Sequence, residues 1–475
     1  MSSTPTPKFP DPKKERKLEL KLQEIRRRES GETTQLTEKA SPPKVQFKET
    51  RLGELNLGQE KLNQFEKEVK NIQDLKTKIA QTQTTESLEF LLGGAISIEA
   101  SDIHFEPEDK RIRLRFRIDG VLQDILDFPK NDYPALLNRI KLIAGLKINI
   151  REAPQDGRFT VKRSGGDIEV RVSSLPGAYG ESIAMRLLDP KTIKKSLEEL
   201  GIRSGLLEKI KKGLKKTTGL ILTTGPTGSG KTTTLYAFIN FANEPGVKII
   251  TIEDPIEYKI QGVSQTQVEP EKGYDFSNGL RSIVRQDPDV ILVGEIRDAE
   301  TAETALHAGL TGHLVFSTLH TNDAAGAIPR LIDMGVKPQI IAPAMNIAMA
   351  QRLVRKLCED CKKEVSAEDA EIEKINSVLK NLDKNPVPKK HKFMIFKAAG
   401  CEKCNFTGYK SRIGIFEAFE MEPEIEKFIL QTPNITEFKG LLDKKGMITM
   451  LQDGYLKVLE GITDLDEIHR VLGSS

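Results

Sequence analysis

The segment Gly225-Pro-Thr-Gly-Ser-Gly-Lys-Thr232 constrains this chain more than any other feature. It matches G-x-x-x-x-G-K-[ST] in the right context: the apolar run GLILTTG leads into it and KTTTLYAFINFA follows, a buried strand passing into a helix. Gly225, Gly228 and Gly230 let backbone N–H groups curl around a β-phosphate without a Cβ in the way, and the helix N-terminus adds partial positive charge. In such a loop Lys231 reaches the β- and γ-phosphates and the Thr232 hydroxyl ligates Mg²⁺. Pro226, Thr227 and Ser229 complete the loop, and Thr233 supports the start of the helix.

Around this loop the chain reads as α/β. VKIITIEDP, DVILVGEIRD and HLVFSTLHT are short apolar strands, each followed by a helical segment. That alternation predicts a parallel sheet with helices on both faces. Hydrolysis needs carboxylates near the metal and the attacking water. The strand Asp289–Val293 runs into Glu295, and ITIEDPIE ends in Glu253, Asp254 and Glu257. Acids at the C-terminal ends of strands sit where α/β sheets bind ligands. Either Glu253 or Glu295 can polarise water, and the other can be a structural ion-pair partner. His313 and His320 flank HLVFSTLH. A histidine at a strand end beside the phosphates can hydrogen-bond the γ-phosphate; a packed core histidine is the alternative for each.

Before this region lies a different texture. SLEFLLGGAISIEA is apolar at helical spacing, and IHFEP and RIRLRFRIDGVL then alternate. Asp119-Gly120 is a hairpin turn, LLNRIKLIAGL a helix, and IEVRVSS and ESIAMRLLD are strands separated by a Pro176-Gly177 turn. An α+β domain over residues 81–193 is expected, then a P-loop domain over 194–475 with a helix-rich tail. Residues 1–50 hold 12 Lys/Arg against 8 Asp/Glu and six prolines. They are too polar to offset ordering, so 1–80 reads as a disordered or helical tail, with a short charged helix over Lys13–Arg28 and a helical connector over 51–80.

Cys358-x-x-Cys361 and Cys401-x-x-Cys404 are two knuckles separated by 39 residues. Four thiolates in two pairs suit a closed tetrahedral, structural Zn²⁺ site. The spacer exceeds the usual 15–20 residues, but closure costs only about 0.6 kcal/mol per doubling of loop length. It reads as a helical excursion within an insertion over about 355–410. A redox disulfide is the alternative, disfavoured in a reducing compartment.

Read together, GPTGSGKTTTLY, IEDPIE, LRSIVRQDPDVILVGEIRD and AGLTGHLVFSTLHTNDA resemble the secretion ATPases of type II secretion and type IV pilus assembly. ASDIHFEP, RIDG, PQDGRF and GESIAMRLL extend the resemblance over residues 86–475. It implies a RecA-like ATPase domain preceded by a smaller PAS-like domain, a cytoplasmic homohexamer binding ATP, Mg²⁺ and structural Zn²⁺, and an inner-membrane platform protein as partner. It also implies arginines from the smaller domain at the nucleotide, for which Arg158, Arg171 and Arg186 match. A guanidinium fork there neutralises charge building on the transferred phosphoryl group. Arg281 and Arg285 are positioned to reach a neighbouring site, and Arg297 reads as a partner of nearby carboxylates. Assembly members carry the tetracysteine element and retraction members typically lack it, so assembly is expected over retraction. Family members often carry folded N-terminal docking domains; the roughly 80 mostly polar residues that precede the α+β domain here are not expected to hold one.

Composition argues against the second alternative, a DNA translocase of the same fold class. Lys+Arg of 72 against Asp+Glu of 69 gives a net charge of +3, and aromatics are 5% with no Trp. A DNA translocase of the same fold has neither bulk charge nor stacking platforms to work with, and no nucleic-acid partner is expected. No apolar run approaches the ~20 residues of a membrane span, and the N-terminus lacks a secretory h-region. The expected place is the cytoplasm, at the inner face of the membrane through partners.

Overall fold

The computed structural model describes residues 53–57, 65, 67–81 and 87–473, apart from 164, 165, 193, 383–392 and 433. The basic segment 1–50, with the expected helix over Lys13–Arg28, lies outside the described residues.

The first domain is built on a seven-stranded sheet. Its strands are β1 (Glu54–Asn56), β2 (Ala100–Pro107), β3 (Ile112–Ile118), β4 (Val121–Phe128), β5 (Gln155–Lys162), β6 (Ile168–Gly177) and β7 (Gly180–Leu188), in the order β1-β5-β6-β7-β2-β3-β4. All pairs are antiparallel except β1 with β5. In β3, Ile112, Leu114, Phe116 and Ile118 are buried while the arginines between them face outward, the period of two that a half-covered sheet requires. Asp119 and Gly120 then take φ of 49° and 83°, the paired left-handed residues of a tight hairpin. Helices α1 (Ile72–Gln81), α2 (Ser87–Ser97) and α3 (Tyr133–Ile143) pack into the same core.

Two expectations are corrected here. Residues 51–80 are not merely a connector: β1 pairs with β5, and Leu55, Leu57, Phe65, Val69 and Leu75 are buried in the first core. Three residues of strand are too short for a periodic signal, and a long-range partner supplies their ladder. The domain therefore begins near residue 53 rather than 81. The Pro176-Gly177 pair is also not a turn. β6 runs through it, Pro176 opposite Glu181, and Ala178-Tyr179 make the turn. Beyond Ser174 the strand pairs with β7 alone, so a residue without an N–H is tolerated.

The second domain holds β8 (Gly219–Thr224), β9 (Ile249–Glu253), β10 (Ser264–Gln267), β11 (Val290–Val293), β12 (Leu314–Leu319), β13 (Met345–Leu357) and β16 (Tyr409–Glu420) in the order β10-β9-β11-β12-β8-β13-β16. It is parallel throughout except for β16, which pairs antiparallel with β13. Both faces are covered. Leu220 and Leu222 of β8 enter one core, with α6 (Phe276–Val284) and α7 (Ala299–Leu310), while Ile221 enters another with α4 (Ser204–Leu214) and α5 (Lys231–Ala242). The smaller helices α8 (Ala327–Asp333) and α9 (Pro338–Ala344) lead into β13.

The tail is less helical than expected. It does contain α11 (Pro423–Ile429), α12 (Ile435–Lys444), α13 (Met450–Leu459) and α14 (Leu465–Leu472), but the long strands β13 and β16 come before them. The insertion between these two strands is likewise more than a helix. α10 (Asp369–Leu379) is joined by β14 (Lys363–Ser366) and β15 (Met394–Lys397), which pair antiparallel. That pairing returns the chain to its start and brings the two cysteine knuckles together. Among the described residues no helix is long and apolar enough to cross a membrane.

Candidate active site

The parallel register aligns the strand ends that carry the chemistry. Thr224 of β8 lies opposite Leu319 of β12, and Val293 of β11 opposite Ile252 of β9. The phosphate loop, His320, Glu295 and Glu253 therefore emerge along one edge of the sheet. They surround a cavity of about 440 Å³, whose wall also includes Lys231, Thr232, Thr233 and, from the first domain, Leu188.

The loop conformation follows from its glycines. Gly225, Gly228 and Gly230 take φ of 146°, 79° and 91°, a range that L side chains resist. Pro226, Thr227, Gly228 and Gly230 border the cavity. Gly225 and Ser229 do not; both are buried beneath the loop. Lys231 Nζ folds back onto the Gly225 and Pro226 carbonyls at 2.7 and 3.2 Å. Burial draws its pKa below the ordinary lysine value, and the Glu295 carboxylate opposes that shift. This cradle presents amide N–H groups, an ammonium and the Thr232 hydroxyl to one space, which fits a polyphosphate with Mg²⁺.

The two candidate carboxylates differ in environment. Glu253 is 4% exposed and accepts hydrogen bonds from Tyr236 Oη, from Thr251 Oγ1 at 2.6 Å and from Gln265 Nε2 at 3.2 Å. Burial raises its pKa, and these donors only partly offset the rise. Glu295 is more open. One oxygen pairs with Arg297 and the other lies 3.4 Å from His320 Nε2. Arg297 also reaches Asp254 at 3.3 Å, as its reading as a carboxylate partner anticipates.

His313 is not brought to this site. It precedes β12 at the opposite edge of the sheet, beside Gly219, with Nδ1 3.0 Å from the Ala308 carbonyl. Six residues of strand separate it from His320, and that length places the two histidines on opposite edges.

The three arginines of the first domain also differ. Arg171 reaches across to the second domain, donating to the Ile256 carbonyl at 3.0 Å and pairing with Glu257, a cavity residue, at 3.0 Å. Arg158 is 75% exposed on its side chain and lies 3.9 Å from Glu169. Arg186 is held by Asp102 at 3.0 Å. None of the three borders the cavity within this chain. Arg281 pairs with Glu300, and Arg285 with the Ser282 hydroxyl at 3.4 Å.

Sequence reasoning missed three residues near the site. Tyr236 hydrogen-bonds Glu253, Arg412 of β16 borders the cavity, and Gln351 of β13 bonds the loop from below. Only Gln351 left a signal, as a polar residue closing the run MNIAMA. Arg412 belongs to β16, a strand that stands where the sequence predicts a helix-rich tail.

At the tip of the β13–β16 hairpin the four cysteines meet. Their sulfurs all lie within 4.8 Å of one another, with Cys358–Cys401 at 4.0 Å and Cys361–Cys404 and Cys401–Cys404 at 3.8 Å. Tetrahedral zinc with Zn–S near 2.3 Å requires S···S separations of roughly 3.8 Å. All four thiols are free, and the amides of Cys401 and Gly408 point at Cys404 Sγ from 3.1 and 3.3 Å. The donor set therefore fits zinc. Hydrogen bonds join the first domain to this tip: Ile72 N donates to Asn405 Oδ1 at 2.7 Å, and Ser411 N to Asp119 Oδ2 at 3.0 Å.

A phosphate loop backed by two strand-end acids and a strand-end histidine, on a parallel sheet, defines an ATP-hydrolysing enzyme of the P-loop class. Residues 80–470 match the family model described as type II/IV secretion system protein, and the chain belongs to that family. It is 44% identical to type II secretion system protein E of Pseudomonas aeruginosa over 382 residues, 80% of this chain and 74% of that one. It is 43% identical to the type IV pilus assembly ATPase PilB of Thermus thermophilus over 370 residues, 78% of this chain but only 41% of that one. The crystal structure of the pilus retraction motor PilT with bound ADP is similar at a TM-score of 0.53 and 26% identity, covering 80% of this chain and 95% of that one.

Proposed function

We propose that this chain is a mechanochemical ATPase that powers assembly of a type IV pilus or a type II secretion pseudopilus, working as a ring of six copies on an inner-membrane platform protein. The observation that carries the reading is the convergence of Lys231, Glu253, Glu295 and His320 on one cavity at the edge of a parallel sheet. The tetracysteine cluster and the identity to secretion and pilus-assembly ATPases support assembly over retraction. The near-neutral charge supports a protein partner rather than nucleic acid.

In this reading the loop amides and Lys231 hold the β- and γ-phosphates, and Thr232 is the Mg²⁺ ligand. Bound Mg²⁺ supplies charge neutralisation at the phosphates. Glu295 is the main general base: it is the more open carboxylate, so water can approach it. Glu253, fixed by Tyr236, Thr251 and Gln265, orients that water. His320 hydrogen-bonds the γ-phosphate and, through Glu295, links its presence to the base. Arg158 is exposed enough to reach a neighbouring copy's nucleotide, whereas Arg171 ties the first domain to Glu257 at the cavity rim. Arg186 is placed with them by resemblance. His313 carries no role in this chain's own site. The first domain, PAS-like by resemblance, closes over the cavity through Leu188. Cys358, Cys361, Cys401 and Cys404 hold a structural zinc.

The test is ATP turnover by the purified protein. Mg²⁺-dependent hydrolysis that Lys231→Ala abolishes, with nucleotide binding lost, is expected, together with six-copy particles in sedimentation when nucleotide is present. Full activity in Lys231→Ala would sink the site assignment, and a particle of another size would sink the hexamer.

A further inference from the structure

β13 passes directly beneath the phosphate loop, where the Gln351 side chain hydrogen-bonds it and the Leu353 side chain stands beside Gly230. Gln351 is 1% exposed, and its Nε2 donates to the Ser229 carbonyl at 2.8 Å. The orientation of the amide follows from the chemistry, because Oε1 facing a carbonyl oxygen would set two acceptors against each other. The two flanking glycines are shaped to this strand. A Cβ on Gly225 would stand 2.7 Å from the Gln351 carbonyl oxygen, and one on Gly230 would stand 3.0 Å from Nε2. Both glycines hold positive φ. Ser229 is itself 3% exposed, so no solvent replaces the bond if it is lost.

The placement has a consequence for the loop. A phosphate-binding loop works by aiming consecutive N–H groups inward, which requires its carbonyls to be turned out and satisfied elsewhere. Lys231 satisfies Gly225 and Pro226 here, and must leave them to reach a phosphate. The Ser229 carbonyl is held by Gln351 instead, from a strand that need not move. Gln351 also sits in register with Phe416 of β16, on the hairpin whose tip carries the cysteines and touches the first domain.

We infer that Gln351 is a positioning residue for nucleotide binding: its amide fixes the Ser229 peptide so that the loop stays open for the phosphates when Lys231 lets go. The inference rests on the reading of the loop as the nucleotide site. A buried neutral hydrogen bond of this kind supports a loss of up to about tenfold in affinity.

The experiment compares Gln351→Met, which keeps the volume and removes the donor, with Gln351→Asn, which keeps the amide but draws it back, and with Lys231→Ala. Full-length proteins are titrated with ADP, and KM for ATP, kcat and the thermal midpoint are measured. Gln351→Met is expected to raise the ADP Kd and the ATP KM about three- to tenfold, with a smaller change in kcat and little change in midpoint; Gln351→Asn should fall between it and the wild type. Unchanged Kd and KM in Gln351→Met, with binding lost in Lys231→Ala, overturn the inference alone. A lower midpoint and kcat at unchanged KM overturn it too, since that is core packing, as does failure of both Gln351 variants to fold. Unchanged binding in Lys231→Ala overturns the reading of the loop and the inference with it.

Discussion

His320 Nε2 lies 3.4 Å from Glu295 Oε2, so the ends of two neighbouring strands, β12 and β11, meet above the phosphate loop. Arg297 takes the other oxygen of the same carboxylate. In the proposed mechanism this contact links the proton acceptor to the donor that meets the γ-phosphate. Glu253 is attached to a separate set of donors.

That separation gives the first prediction. Glu295→Gln is expected to lower kcat about 10²–10⁴-fold while leaving ATP bound, the range of a lost general base. Glu253→Gln is expected to cost less in kcat, because its amide still accepts from Thr251 and Gln265. Single-turnover hydrolysis with parallel binding measurements decides between them. A larger loss in Glu253→Gln would move the base to that residue.

Glu253 also makes stability depend on pH. Burial raises its folded pKa above the unfolded value. Its contribution to stability is therefore fully present below the unfolded pKa and is lost as pH rises through the folded one. Glu253→Gln removes that titration. Thermal midpoints should shift in favour of the variant, relative to wild type, on going from pH 5 to pH 8. An offset that stays constant or reverses over that window would contradict the prediction.

The cysteine cluster makes a prediction about metal and domain contact together. Purified protein should contain about one zinc per chain, and Cys401→Ser should lose it. Because Asn405 and Ser411 beside the cluster bond Ile72 and Asp119 of the first domain, zinc removal should also loosen the first domain. Hydrogen exchange at Ile72 should rise in Cys401→Ser. Zinc-free protein with wild-type protection at Ile72 would contradict the coupling.

The arginines should separate by role. Arg158, largely exposed, is expected to lose about 10³-fold or more in kcat as Arg158→Ala, with an unchanged thermal midpoint, if it serves a neighbouring copy's site. Arg171→Ala should lower the midpoint as well, since it breaks contacts to Ile256 and Glu257. Mixed rings of Arg158→Ala and Lys231→Ala chains should recover activity where a wild-type loop faces a wild-type arginine. Absence of any recovery would place Arg158 in its own chain's site or outside the chemistry.

Much of this was legible in the residues. The loop, its strand and its helix are local in sequence, and so are the alternation of β3 and the turn at Asp119-Gly120. The two CxxC knuckles were likewise visible as the thiol pairs that the fold brings into one cluster. Long-range pairing was less accessible. β1 has three residues and exists because β5 accepts it, and Pro176 stays in a strand because one side of that strand has no neighbour.

The sequence by itself determined the reaction class, since a phosphate loop and strand-end acids depend on residue types at short separations. Only the tertiary structure decided which of them share a site. It set His320 beside Glu295 and sent His313 to the far edge, because six residues of extended strand lie between them. It also placed Gln351 and Arg412, distant in sequence from the loop, beneath it and beside it, because β13 packs against β8 and β16 against β13. Sheet register, a property of long-range hydrogen bonding, made those choices.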